Sequence, residues 1–189
     1  MLEELVIEHG SPTLAGLKTG NLFRVCGGDE FEIKQEVREL NRVLKGKGLR
    51  VMLLKKNGAG DLIYIYRPDF LKRDLTDPLA AHILTCKGYP CDKAEFCITF
   101  LANRLKNSDS FPHEIGLFLG YPPSDVECFM NNPTCGVKCV GCWKVYSDEE
   151  SAKRAFRKYR KCTEVYRELS KKGSPIEMLA VRTGSKMVG

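Results

Sequence analysis

Cysteine carries most of the chemistry open to this 189-residue chain, which holds nine of them. Cys135, Cys139 and Cys142 follow the spacing C-x3-C-x2-C, at which three thiolates can hold three irons of a four-iron cluster. Radical S-adenosylmethionine enzymes use that spacing, but only 47 residues follow Cys142 and no barrel can be built from them. Adding Cys128 supplies a fourth thiolate, enough for a tetrahedral zinc or an iron–sulfur site. The competing reading is a set of ordinary thiols. Paired CxxC knuckles are the strong metal signal, and here Cys139–Cys142 stands alone. In a strand those two side chains would also point to opposite faces. No metal is favoured, with zinc or iron–sulfur kept as the alternative.

Two further groups could act on a substrate. Cys91 precedes Asp92 just outside an expected helix start, where a thiol gains acidity and could pair with His9, His82 or His113 as base. His82 falls inside an apolar helix and reads as a core residue. His113 and Glu114, between Pro112 and Gly116, fall at the first turn of a short helix, where acid–base work, metal binding or an anion site competes with simple capping. The segment Thr13–Lys18, with Gly16, could bring backbone amides to a phosphate, although it matches neither GxGxxG nor the Walker pattern. Otherwise it is a glycine-bent connection packing Leu14 and Leu17 inward. Together with Trp143, Lys144 and Tyr146 at a strand end, these residues make a composite ligand site the leading expectation.

The elements that must position them follow from periodicity. Residues 1 to 9 predict a short helix, and Leu22 to Cys26 a strand. Asp29 and Glu32 form a capping box for a helix carrying Ile33, Val37, Leu40 and Leu44. LRVMLLKK (49–56) and DLIYIYR (61–67) flank Asn57-Gly58 and Gly60, the mark of a β-hairpin. Helices are expected over 77–86, over 91–107 behind an Asp92/Glu95 box, from Pro112 through HEIGLFLG, and over 124–130. Residues 138–146 read as one strand joining the hairpin's sheet. A long helix over 148–172 places Phe156, Tyr159, Cys162 and Tyr166 on a stripe to be buried, opposite Lys153, Arg154, Arg157, Lys158, Arg160, Lys161 and Arg167. Gly173 should cap it. Cys97 and Cys162 lie on helix stripes and read as packing.

Charge and length bound the rest. The net charge is +6, and all of it lies after residue 142, where 12 bases face 6 acids. A basic helix 153–172 suits an acidic protein partner better than nucleic acid, because its aromatics lie on the stripe to be buried. No apolar run approaches a membrane span, and the N-terminus lacks the bases of an export signal, so a cytoplasmic protein with reduced thiols is expected. The absence of regular βαβ alternation predicts an α+β fold: a single domain over 1–182, about four mostly antiparallel strands packed by several helices, and a frayed tail over 183–189.

PTLAGLKTGNLF (12–23), GLRVMLL, YRP (66–68), PHEIGLFLGYPPSDV (112–126) and GCWKVYSDEESAKRAFRKYRKC (141–162) together resemble a bacterial family, domain of unknown function 3793. That family is found mostly in anaerobic Firmicutes such as clostridia, and the likeness spans roughly residues 2–181. It implies a single-domain cytoplasmic protein of an anaerobe and assigns no catalytic residue. Gly10 stands where the family often has Cys, and Cys142 where Tyr commonly precedes Trp-Lys, so a role for Cys142 would be peculiar to this chain. The expected function is an accessory or ligand-binding protein tied to redox or metal metabolism. The alternatives are an enzyme using Cys91 or His113, and weak nucleic-acid binding through the basic helix.

Overall fold

The computed structural model describes residues 1–27, 29–55, 60–107 and 110–183. It is an α+β protein with two compact units, Met1–Pro68 with Cys162–Gly189, and Asp69–Lys161.

In the first unit, helix α1 runs Leu2–Leu14, past the expected end at residue 9 and through Pro12. Burial overrides local propensity here. Gly10 lets the Ile65 side chain approach to 3.0 Å of where a Cβ would stand, and the Ser11 hydroxyl donates to the Ile7 carbonyl. Gly16, at φ +72°, ends the helix, with Gly16 N bonded to Thr13 O at 3.1 Å and Leu17 N to the Pro12 carbonyl at 2.8 Å. Strand β1 covers Gly20–Val25, and α2 covers Glu30–Leu44. Asp29 stands at the N-cap of α2 in extended backbone, but its side chain makes no capping bond, so the expected box does not close. Acidic Glu30 and Glu32 in the first turn favour the helix N-terminus instead.

Strands β2 (Arg50–Lys55) and β3 (Asp61–Tyr66) form the expected antiparallel hairpin, with Val51 opposite Ile65 and Leu53 opposite Ile63. Its Asn57-Gly58 turn lies outside the described residues. β1 pairs with the other edge of β3, giving the order β1-β3-β2. Ile63 and Ile65 of β3 pack with Leu2, Val6 and Ile7 of α1 and with Ile33, Leu40 and Leu44 of α2. The 138–146 segment does not join this sheet, contrary to expectation; it folds as a separate hairpin described below. Arg67, directly after β3, is completely buried, at 0% exposure. Its guanidinium donates to the carbonyls of Thr13 (2.7 Å), Leu14 (2.7 Å), Lys47 (3.2 Å) and Val181 (2.8 Å) and to Thr183 Oγ1 (3.1 Å). A five-donor fork thereby satisfies loose carbonyls at the end of α1 and along the C-terminal segment.

In the second unit, α3 (Pro68–Leu75), α4 (Pro78–Cys86), α5 (Ala94–Asn107), α6 (Ile115–Phe118) and α7 (Pro123–Asn131) follow in order. Asp77 caps α4 by accepting from Leu79 N at 2.9 Å and Ala80 N at 3.1 Å. α5 starts two residues beyond Asp92, so Asp92 is not its cap, while Cys97, Ile98, Leu101 and Leu105 form its buried stripe as expected. Strands β4 (Cys139–Val140) and β5 (Lys144–Val145) pair antiparallel, because the chain reverses across Gly141–Trp143 with Gly141 N bonded to Trp143 O at 3.0 Å.

Helix α8 runs Glu149–Lys171; through Lys161 it belongs to the second unit, and from Cys162 to the first. Its stripe is shallower than expected. Only Ala152 is buried; Phe156, Tyr159, Cys162 and Tyr166 are half-buried, and Val165 and Leu169 are exposed. Gly173, at φ +85°, ends it, with Ser174 N bonded to Leu169 O at 3.1 Å. α9 (Ile176–Leu179) adds Ile176 and Leu179 to the first unit's core. The tail expected to fray lies, after Thr183, outside the described residues. Among the described residues no helix is long and apolar enough to cross a membrane.

Candidate functional site

The segment PHEIGLFLGYPPSDV builds one wall of a cavity in the second unit. α6 is only four residues long, shorter than the expected HEIGLFLG helix, because Gly120 adopts φ +72° and Tyr121 N closes back on Gly116 O at 3.0 Å. Gly116 allows this fold-back: a Cβ there would meet Val126 Cγ2 at 2.8 Å and Tyr121 Cδ2 at 3.0 Å. Pro122 and Pro123 then start α7, which presents Asp125, Val126 and Phe129 to the cavity. The β4–β5 hairpin supplies the opposite wall with Trp143 and Lys144.

Asp125 joins these walls. At 2% exposure, its Oδ1 accepts from Tyr146 N at 3.0 Å and Ser147 N at 2.8 Å, and its Oδ2 accepts from Trp143 Nε1 at 2.8 Å. The indole is fixed on both sides, stacked on Tyr121 at 5.0 Å and edge-on to Phe156 at 4.6 Å. Burial, followed by the neighbouring Cys142 thiol, pushes the Tyr121 phenol above its ordinary range, so it stays neutral. The cavity measures about 280 Å³ and is walled mostly by apolar carbon. Besides Asp125, whose oxygens are engaged by the hairpin, polar chemistry enters it through His113, whose ring stands edge-on to Phe129 at 5.1 Å, and Lys144. Lys144 Nζ lies 5.6 Å from the centre of the same Phe129 ring and donates to the Pro133 carbonyl at 2.9 Å.

Of the residues singled out from the sequence, His113, Trp143 and Lys144 therefore line one cavity. Tyr146 backs it, giving its hydroxyl to the Pro133 carbonyl at 3.1 Å. Glu114 turns the other way. It is 2% exposed, accepts from the Tyr89 hydroxyl at 2.9 Å and is ion-paired with Arg104 Nε at 3.0 Å, the N–H being misaligned for a hydrogen bond. Burial and this carboxylate raise the Tyr89 phenol above its ordinary range. His113 and Glu114 precede α6 rather than forming its first turn, with Glu114 as an N-cap that makes no capping bond. Thr13 and Lys18 belong to the first unit and are buried. The Thr13 hydroxyl is bonded to Asn21 Oδ1 at 2.7 Å and its carbonyl to Arg67, a structural engagement.

The cysteines distribute otherwise than their spacing suggested. Cys128, Cys135 and Cys142 are exposed and Cys139 is half-buried. Among the described residues, no group of three or more His, Cys, Asp or Glu side chains is placed to hold a metal. Cys91 contacts Thr85 and the Tyr89 carbonyl rather than a histidine. His82, expected in the core, is exposed, and its Nε2 lies 3.7 Å from Cys86 Sγ, a pairing visible in retrospect from their i, i+4 spacing. On the basic helix, Lys153 pairs with Glu149, Lys171 with Glu168 and Arg167 with Glu8, which neutralises part of the positive face. The sequence reading missed Tyr121, Asp125 and Phe129. The aromatic and acidic residues after Gly120 were the available signal.

An α+β protein with an aromatic cavity between a short helix pair and a two-stranded hairpin is thus the class that fold and site define. The chain belongs to the family described as Protein of unknown function (DUF3793), whose model matches residues 6–180. No curated protein and no solved structure matches it.

Proposed function

We propose that the second unit is a binding module for a small aromatic anion, taken into the cavity between α7 and the β4–β5 hairpin. The observation that carries this reading is an apolar, aromatic-walled space of about 280 Å³ with one imidazole and one ammonium meeting at a single phenyl ring. Ligand sites typically combine such apolar walls with a few placed polar groups. Phe129 offers an aromatic surface for a flat ring. The Lys144 ammonium has three donors, so its bond to Pro133 leaves others for a carboxylate. The volume suits one or two rings. On this reading the protein is a cytoplasmic accessory factor.

Trp143 is the chain's single tryptophan, so its fluorescence reports on this cavity alone. Titration with 4-nitrobenzoate should quench it saturably, and cyclohexanecarboxylate should do so far more weakly. Phe129→Ala and Lys144→Met should each weaken the quenching about tenfold, equivalent to roughly 1.4 kcal/mol. Linear, unsaturated quenching that is the same in both variants would refute the reading.

A further inference from the structure

A second cavity, of about 360 Å³, lies at the start of α5 and shares no lining residue with the first. Cys91 and Cys97 both line it, together with Lys72, Lys93, Asp92 and Glu95. Cys91 Sγ donates to the Tyr89 carbonyl at 3.5 Å and Cys97 Sγ to the Pro90 carbonyl at 3.3 Å, so two consecutive carbonyls hold both sulfurs on the same wall. Cys91 Sγ also accepts from Thr85 Oγ1 at 3.6 Å. Their surroundings differ sharply. Cys91 is exposed, whereas Cys97 is 1% exposed in the apolar stripe of α5. Burial, then the neighbouring Cys91, pushes the Cys97 thiol up to about 12, which keeps it protonated at neutral pH. An accessible sulfur beside a sheltered one suits thiol–disulfide exchange: the first can be reached by a substrate, and the second can resolve the first.

We propose that Cys91 and Cys97 form a redox-active dithiol that reduces small disulfides, at a site independent of the aromatic cavity. The Cys91 thiolate attacks one sulfur of the substrate disulfide. That S–S bond breaks, and the departing thiolate takes up a proton. Cys97 then loses its proton and attacks Cys91 Sγ, releasing the second substrate thiol and leaving a Cys91–Cys97 disulfide. Two electrons pass from the dithiol to the substrate disulfide, and the two protons follow them. Lys72 and Lys93 line the cavity together with Asp92 and Glu95, so its charges balance and the substrate is defined by its disulfide rather than by its charge.

Oxidised glutathione is a suitable probe on the full chain. Trypsin cleaves after Lys87, Lys93 and Arg104, so the product appears as peptide 88–93 linked to peptide 94–104. The wild type should give that linkage, preceded in time by glutathione on Cys91. Cys97→Ala should stop at the Cys91–glutathione mixed disulfide, and Cys91→Ser should leave Cys97 unmodified. If Cys97→Ala fails to fold, the order of species in the wild type carries the test. Glutathione retained on Cys91 without the linkage, linkage of Cys91 to Cys86 instead, or equal labelling of Cys26, Cys86 and Cys91 would each overturn the proposal.

Discussion

The Trp143 indole N–H donates to Asp125 Oδ2 at 2.8 Å, while the other oxygen of that carboxylate holds the backbone of Tyr146 and Ser147. One buried side chain from α7 thereby sets the position of the hairpin, and with it the cavity. Asp125→Ala should leave three donors without their partner and destabilise the second unit by about 2–4 kcal/mol. Asp125→Asn retains one acceptor oxygen and should cost about half as much. Urea unfolding followed by Trp143 fluorescence measures both, and equal stability of the alanine variant and the wild type would show that the carboxylate organises nothing.

Gly141 is the hairpin's second determinant. A Cβ at this position would collide with the Phe156 ring, which in turn stands edge-on to Trp143. Gly141→Ala should cost about 1–3 kcal/mol through overpacking and shift Trp143 emission to the red. Phe156→Leu should offset much of that loss in the double variant, because the two sites are in contact. Additive losses would mean that the chain relieves the clash elsewhere.

How far the sequence disclosed this arrangement depends on which forces acted locally. The 49–67 hairpin was readable because alternating β-branched and aromatic residues flank glycines, and pairing partners close in sequence need no distant help. The α5 stripe was readable for the same reason at helical period. The end of α1 was not, because Gly10, Ser11 and Pro12 argue against helix and only burial against Ile65 reverses them. The 138–146 segment looked like one strand because its β-formers are continuous, whereas the reversal at Gly141 depends on Phe156 and Asp125, both distant in sequence. His113, Trp143 and Lys144 were recognisable as chemistry-bearing types. Phe129 and Tyr121 were not, since an aromatic lining a cavity and one filling a core look alike in sequence.

Arg67 offers the sharpest test of the first unit. Its five bonds use the planar geometry of guanidinium, which an ammonium on a shorter reach cannot reproduce. Arg67→Lys should therefore lose about 2–4 kcal/mol despite keeping the charge, and should increase hydrogen exchange at the end of α1 and near Val181 together. Exchange rising at only one of those places would break the link drawn between them.

Alkaline pH should destabilise the protein through its buried thiols. The Cys97 thiol is raised from 9.0 to about 12 and the Cys162 thiol from 9.0 to about 11, in both cases first by burial. Below pH 9 the folded and unfolded chains both keep these protons, so the thiols add no pH dependence. Above it the unfolded chain releases them first, and stability falls until the folded pKa is reached. The slope is up to about 1.4 kcal/mol per pH unit for each thiol, and less for half-buried Cys162. Raised tyrosines, Tyr121 and Tyr159 among them, join only above their ordinary value of 10.0, so the thiols act first between pH 9 and 10. Melting temperatures measured from pH 8 to 10 should drop in the wild type and drop less in Cys97→Ala, with Cys162→Ala showing a smaller rescue. A wild-type melting temperature that stays flat across that interval, or a Cys97→Ala variant with the full wild-type slope, would place the ionising groups elsewhere.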